Sequence, residues 1–245
     1  VLTGESQGYY SDYFVGGEPM DYLLKTLAQG FGYQGEISPF RASIPRGEST
    51  AHLPATAFVN FIQNHDQVGN RAFGDRLTTM VSPAQLDWAA ALYLLAPAIP
   101  MLFMGEEWGS TQPFLFFTDI GDHLADSIRN GRRAESAKFK EFADPAVQAK
   151  IPDPCSPDTV AQCQLDWQQL NQPNGQTRFN HYQQLLHLRQ QVFVPLYRYL
   201  APGHGTFKTL GNRAGQVTWS LSGHPQYKQV SVILNAGGPT LPLPE

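Results

Sequence analysis

The chain has 245 residues, 42% hydrophobic and 12% aromatic, enough apolar material for one large core or two smaller ones. Its 17 basic and 21 acidic residues leave a net charge of −4 with no basic block, which argues against nucleic acid as a partner. The longest apolar stretch, Ala89–Met104, is broken by Pro97 and Pro100 and falls short of the roughly 18 residues a membrane span needs, so no membrane association is expected.

The chain opens Val-Leu-Thr-Gly-Glu, without an initiating Met or a signal-peptide pattern. Residues 19–30 read as the first helix: Met20, Leu23, Leu24, Leu27 and Phe31 recur at helical spacing, Pro19 suits the first position and Gly30 the end. Gly32 to Pro54 is rich in Gly, Pro, Ser and Arg and reads as a long loop. A strand is expected over 57–62. It runs straight into a dense polar cluster, Gln63-Asn64-His65-Asp66-Gln67 with Asn70 and Arg71.

Ser82-Pro83-Ala84-Gln85 is a capping-box pattern. The helix it opens places Leu86, Ala89, Ala90, Tyr93 and Leu94 on one face and stops before Pro97. A second apolar strand, 99–104, leads into Gly105-Glu106-Glu107-Trp108-Gly109 and an aromatic run containing Phe114, Phe116 and Phe117. Strand, polar loop, helix, strand, polar loop is the order of parallel strands in an α/β sheet, where working residues leave the carboxyl ends of strands.

Residues 121–150 read as mostly helical and charged, 151–175 as loop, and 176–193 as a helix with an apolar stripe of Phe179, Tyr182, Leu185, Leu186, Leu188 and Val192. Cys155 and Cys163 are too few for a disulfide scaffold and lack the His or Asp neighbours of a zinc site; they read as free thiols in a reducing cytoplasm. After Pro202-Gly203 the pattern becomes alternating over 216–221 and 228–234, an antiparallel hairpin. A complete (β/α)8 barrel needs about 250 residues and eight strands. This chain offers two βα units before a different domain begins. The expected fold class is therefore α/β, the C-terminal part of a (β/α)8 TIM barrel over 1–203, followed by the start of an incomplete antiparallel β-domain over 204–245.

Asp66, flanked by His65 and Asn64, reads in two ways. It places negative charge beside a developing cation, as glycoside hydrolysis requires of paired carboxylates, or it caps a turn. Six polar groups exceed what one turn needs. Glu106-Glu107-Trp108 reads either as hydroxyl-binding acids beside a sugar-stacking ring or as an acidic turn with a core Trp. Phe114, Phe116 and Phe117 divide the same way between stacking and core. His181 and His187 on the 176–193 helix read as solvated or core, and Arg41 as an exposed charge. Arg71 pairs with Asp66 or Asp75, or contacts substrate.

FIQNHDQVGNRAFGDRL, MLFMGEEWGSTQPFLFFTDI, the opening LTGESQGYYSDY and GFGYQGEISPFR together resemble the maltooligosyltrehalose trehalohydrolases, family 13 glycoside hydrolases of the α-amylase superfamily. The resemblance covers most of residues 1–120. It implies a retaining hydrolase that cleaves the α-1,4 bond next to a terminal trehalose, using an Asp nucleophile, a Glu acid/base and a second Asp. The motif assigns Asp66 to that second Asp, the transition-state stabiliser. Asn64 and His65 are implied to bind sugar hydroxyls, with Gln67, Gly69, Asn70 and Arg71 in the same loop and Glu107, Trp108 and Phe117 as further substrate contacts. No segment matches the nucleophile or acid/base, which are expected before Val1, so the chain is expected to be inactive alone. The alternatives are a fragment of a branching or debranching enzyme and a non-catalytic carbohydrate-binding module. The implied partner is maltooligosyltrehalose or another α-glucan oligosaccharide. No cofactor or metal is implied, and the expected location is cytoplasmic.

Overall fold

A computed structural model describes residues 1–14, 17–137, 139, 142, 144–203 and 205–237. Residues 238–245, assigned from sequence to the β-domain, and Lys138, Lys140, Glu141 and Ala143 of the expected helical region lie outside the described residues. In chain order the elements are α1 (Pro19–Gln29), β1 (Glu36–Ser38), β2 (Ile44–Arg46), β3 (Val59–Asn60), α2 (His65–Gly69), α3 (Leu77–Met80), α4 (Pro83–Leu95) and β4 (Ile99–Pro100). Then follow α5 (Asp122–Ser136), α6 (Pro145–Gln148), α7 (Pro157–Gln162), α8 (Pro173–Leu188), α9 (Val194–Tyr197), β5 (Thr206–Gly211), β6 (Ala214–Ser220) and β7 (Gln229–Asn235). The chain divides into two compact units. One unit comprises Val1–Asn60, Asp87–Met101 and Gln183–Glu245; the other comprises Phe61–Leu86 and Leu102–Tyr182.

In the first unit α1 starts at Pro19 and ends at Gly30, whose N–H donates to Thr26 O at 2.8 Å. Gly30 has φ +93°, and a Cβ there would stand 2.3 Å from the Phe58 ring, so glycine is required twice over. The helix buries Met20, Leu24 and Ala28 against Leu92 and against Val217, Trp219 and Leu234 of a three-stranded antiparallel sheet, β5-β6-β7. Each of the larger side chains contributes about 1.5–3 kcal/mol through burial. The β6–β7 pairing matches the expected hairpin, with Val217 opposite Val232. The edge strand β5 was not legible as a strand.

Strands β3 and β4 are parallel, as the alternation of elements required, with Val59 opposite Ile99 and Asn60 opposite Pro100. They are shorter than the expected 57–62 and 99–104. The N–H groups of Ile99 and Met101 donate to Phe58 O and Asn60 O, so the donorless nitrogen of Pro100 faces away from β3.

The expected long loop holds the hairpin β1–β2. Its anchor is distant in sequence. The fully buried Asp12 carboxylate accepts from Ser38 Oγ at 2.5 Å, the Phe40 N–H at 2.9 Å and Arg46 Nη1 at 3.2 Å. Burial alone would raise the Asp12 pKa, but these donors outweigh it and hold the carboxyl below its ordinary value.

The capping box at α4 is formed: the Ser82 N–H donates to Gln85 Oε1 at 2.9 Å and the Gln85 N–H to Ser82 Oγ at 3.3 Å. At and just past its C-terminus, the carbonyls of Leu94, Ala96 and Ala98 accept from Arg189 at 2.7, 2.5 and 2.8 Å. A cation is favoured at this negative end of the helix dipole. Arg189 opens a π-helical segment, Arg189–Phe193, between α8 and α9. Tyr197 also donates to Ala96 O, at 2.9 Å, and burial pushes its pKa up to about 12. Of the expected stripe along 176–193, Tyr182 and Leu185 are buried, while Leu186, Leu188 and Val192 are exposed.

In the second unit the region 151–175 is not a plain loop. Pro157 and Pro173 open α7 and α8, and Ser156 and Asp166 cap α7 and the short 3-10 helix Trp167–Asn171. Prolines that read as loop punctuation occupy first-turn positions, where their missing N–H costs nothing. No helix among the described residues is long and apolar enough to cross a membrane.

Candidate functional site

The polar burst after β3 becomes a capped helical turn. Asn64 is the N-cap of α2, and its Oδ1 accepts from the Gln67 N–H at 2.8 Å. This spends the Asn64 carbonyl on the backbone and fixes the next three residues outward. His65 and Asp66 have side chains 71% and 72% exposed, with His65 Nε2 3.4 Å from Asp66 Oδ1. Capping therefore falls to Asn64, and Asp66 is left displayed. Gln67 and Asn70 are exposed, while Val68 and Gly69 are buried.

Two contacts brace this turn. The Phe114 ring lies against Gly69. Arg132, nearly buried, donates to Gly69 O at 3.0 Å and stacks over Phe116 at 5.1 Å. Phe103, Phe114 and Phe117 form an edge-to-face row with centroid separations of 5.3 and 5.8 Å, which brings the exposed Phe117 into the neighbourhood of the turn. Arg71 takes the structural option: its Nε is 3.7 Å from Asp75 Oδ2.

The second polar cluster is joined to the first through a buried network. Gly105 and Gly109, at φ +83° and +72°, flank a 3-10 turn, Glu106–Trp108. The turn sends its two acids different ways. Glu106 is buried: its Oε1 accepts from the Tyr182 hydroxyl at 3.0 Å, and its Oε2 accepts from Gln63 Nε2 and the Phe103 N–H, each at 3.4 Å. Gln63 Oε1 in turn accepts the Leu77 N–H at 3.3 Å. Arg76, also buried, donates to Gln112 O at 2.6 Å and Met104 O at 2.8 Å and stacks over Phe103. Burial lowers its pKa, and the Glu106 charge opposes that shift.

Glu107 is only partly buried, and its Oε2 has no hydrogen-bond partner among the described residues. Trp108 is 4% exposed and packs on Trp167 with ring centroids 4.9 Å apart. Its faces are used in packing, which is the core option for this residue rather than the displayed platform. The sequence reading missed Arg76, Tyr182 and Trp167. The adjacent acids between two glycines were the available signal that one of them turns inward. Among the described residues no group of three or more His, Cys, Asp or Glu is placed to hold a metal ion.

A displayed Asp-His pair on a rigid turn, backed by aromatic rings, is suited to a ligand rich in hydroxyls. No family model matches the sequence. A malto-oligosyltrehalose trehalohydrolase of Arthrobacter ramosus is 40% identical over 194 residues, 79% of this chain and 32% of the relative. One from Saccharolobus solfataricus is 43% identical over 159 residues, 62% of this chain and 28% of the relative. This chain is related to the malto-oligosyltrehalose trehalohydrolases. It spans about a third of the length of these curated relatives. A crystal structure of an α-amylase candidate from Salmonella typhimurium superposes on the whole chain with a TM-score of 0.86 at 42% identity, covering 39% of that protein. Trehalohydrolase relatives and an amylase-like fold thus agree with the α/β content described above.

Proposed function

We propose that this chain forms part of a glycoside hydrolase that cleaves the α-1,4 bond beside the terminal trehalose of maltooligosyltrehalose, releasing trehalose with retention at the anomeric carbon. The observation that carries the proposal is Asp66, displayed on the turn that Asn64 caps, within a segment shared with the trehalohydrolases. On this reading residues 1–203 belong to a (β/α)8 barrel and 204–245 begin a β-domain.

Retaining hydrolysis proceeds in two steps. A carboxylate attacks the anomeric carbon while an acid protonates the leaving oxygen; water then displaces the enzyme as the former acid takes its proton. Both states pass through an oxocarbenium-like centre. Asp66 faces that charge, and the nucleophile and acid/base come from outside this chain. In open water two unit charges 4 Å apart interact by only about 1 kcal/mol, and several-fold more once water is excluded. An aspartate 72% exposed therefore becomes effective only when the sugar itself covers it. His65, Gln67 and Asn70 supply hydroxyl contacts beside it. Gly69 and Arg71 hold the loop, Phe117 offers an apolar edge, and the unpartnered Oε2 of Glu107 accepts a donor from outside the described set.

The test is a chimera in which this chain replaces the matching third of the Arthrobacter ramosus enzyme. The chimera should release trehalose from maltooligosyltrehalose. Asp66→Asn should lower kcat by about 10³, equivalent to about 4 kcal/mol, with little change in KM. A variant retaining a tenth of the parent kcat refutes the assignment.

A further inference from the structure

We infer that Trp167 presents a stacking face for a pyranose ring of an α-glucan, a contact that the buried Trp108 does not make itself. This rests on the glucan-processing reading above. Trp167 is 62% exposed, and no other large hydrophobic side chain among the described residues is more so. An indole in water on a surface is informative when it is also held rigid. Here one ring contact and two hydrogen bonds of the surrounding turn hold it. The ring packs on Trp108, Asp166 caps the turn by accepting the Gln168 N–H at 2.9 Å, and Gln169 Oε1 accepts the Thr111 N–H at 3.1 Å. Little conformational freedom is left to lose on binding.

The surroundings select the ligand. Residues 164–172 carry one charge, Asp166, whose carboxylate is engaged as the cap of the turn, and the nearest cation in sequence, Arg178, lies against Gly109. The polar groups are amides: Gln164, Gln168, Asn171 and Gln172 are all exposed. An amide offers both a donor and an acceptor, which suits the vicinal hydroxyls of a neutral sugar. The C–H face of a pyranose packs on the indole while its hydroxyls reach outward.

The experiment reads the indole N–H resonance of Trp167 in the ¹⁵N-labelled chain, identified by its loss in Trp167→Ala, during titration with maltoheptaose. The resonance should shift saturably. Trp167→Ala should weaken maltoheptaose binding at least tenfold, and Trp167→Phe, which keeps a ring against Trp108, should recover most of it. A resonance that stays fixed while the His65–Gln67 amides shift overturns this inference and leaves the proposed function standing. A shift at Trp167 alone supports the inference and counts against the role given to Asp66. Binding of a proline-rich peptide there, with no response to maltoheptaose, also overturns it.

Discussion

Replacing Tyr182 by Phe removes one hydroxyl from the interior and keeps the ring. That hydroxyl donates to Glu106 Oε1 at 3.0 Å, with both residues buried. A hydrogen bond to a charged group contributes about 1.5–3 kcal/mol. Gln63 and the Phe103 N–H, both at 3.4 Å, hold the other oxygen more weakly. Tyr182→Phe should therefore lower stability by about 1.5–3 kcal/mol. Urea unfolding followed by tryptophan fluorescence measures this, since Trp108 lies two residues from Glu106 in the same turn. A double-mutant cycle with Glu106→Gln should return a coupling of at least about 1 kcal/mol. A loss below about 0.5 kcal/mol, or additive mutations, would refute the claim that Glu106 is held by this network.

Two further outcomes follow from packing and charge. Gly30→Ala would place a methyl 2.3 Å from the Phe58 ring at a positive φ, so it should cost about 2–4 kcal/mol in urea unfolding, the sum of positive-φ strain and overpacking. The folded-state pKa of Asp12 is lowered, so its stabilisation is present above the unfolded value of about 3.9 and disappears as pH falls through the folded one. The stability difference between the parent and Asp12→Asn should accordingly be constant from pH 7 to 5 and shrink towards pH 3; a difference that grows on acidification contradicts the assignment.

Local signals in the sequence were readable because their partners are local. Ser82 and Gln85 cap each other three residues apart, and Pro19 and Gly30 bracket α1 by their own backbone preferences. The parallel pairing of β3 and β4 followed from the order of elements. What escaped depends on distant partners. The hairpin β1–β2 lies in a Pro- and Gly-rich stretch and is held by Asp12, which is 26 to 34 residues away. At the site, Asp66 and its neighbours were legible as a cluster. The cap proved to be Asn64, a distinction set by one hydrogen bond at 2.8 Å. Trp108 and Trp167 could not be ranked from sequence, because which ring is covered depends on the turn at Gly105–Gly109 and on the capped segment after Asp166.

The three carbonyls at the end of α4 have a consequence in time. Arg189, which donates to them, is encoded 91 to 95 residues after they are made. At ribosomal rates of about 5–20 residues per second, that interval is roughly 5–20 s. Through it, those oxygens are left to water, and the last turn of α4 is free to fray. The capping of these carbonyls is completed only when a much later stretch of chain arrives.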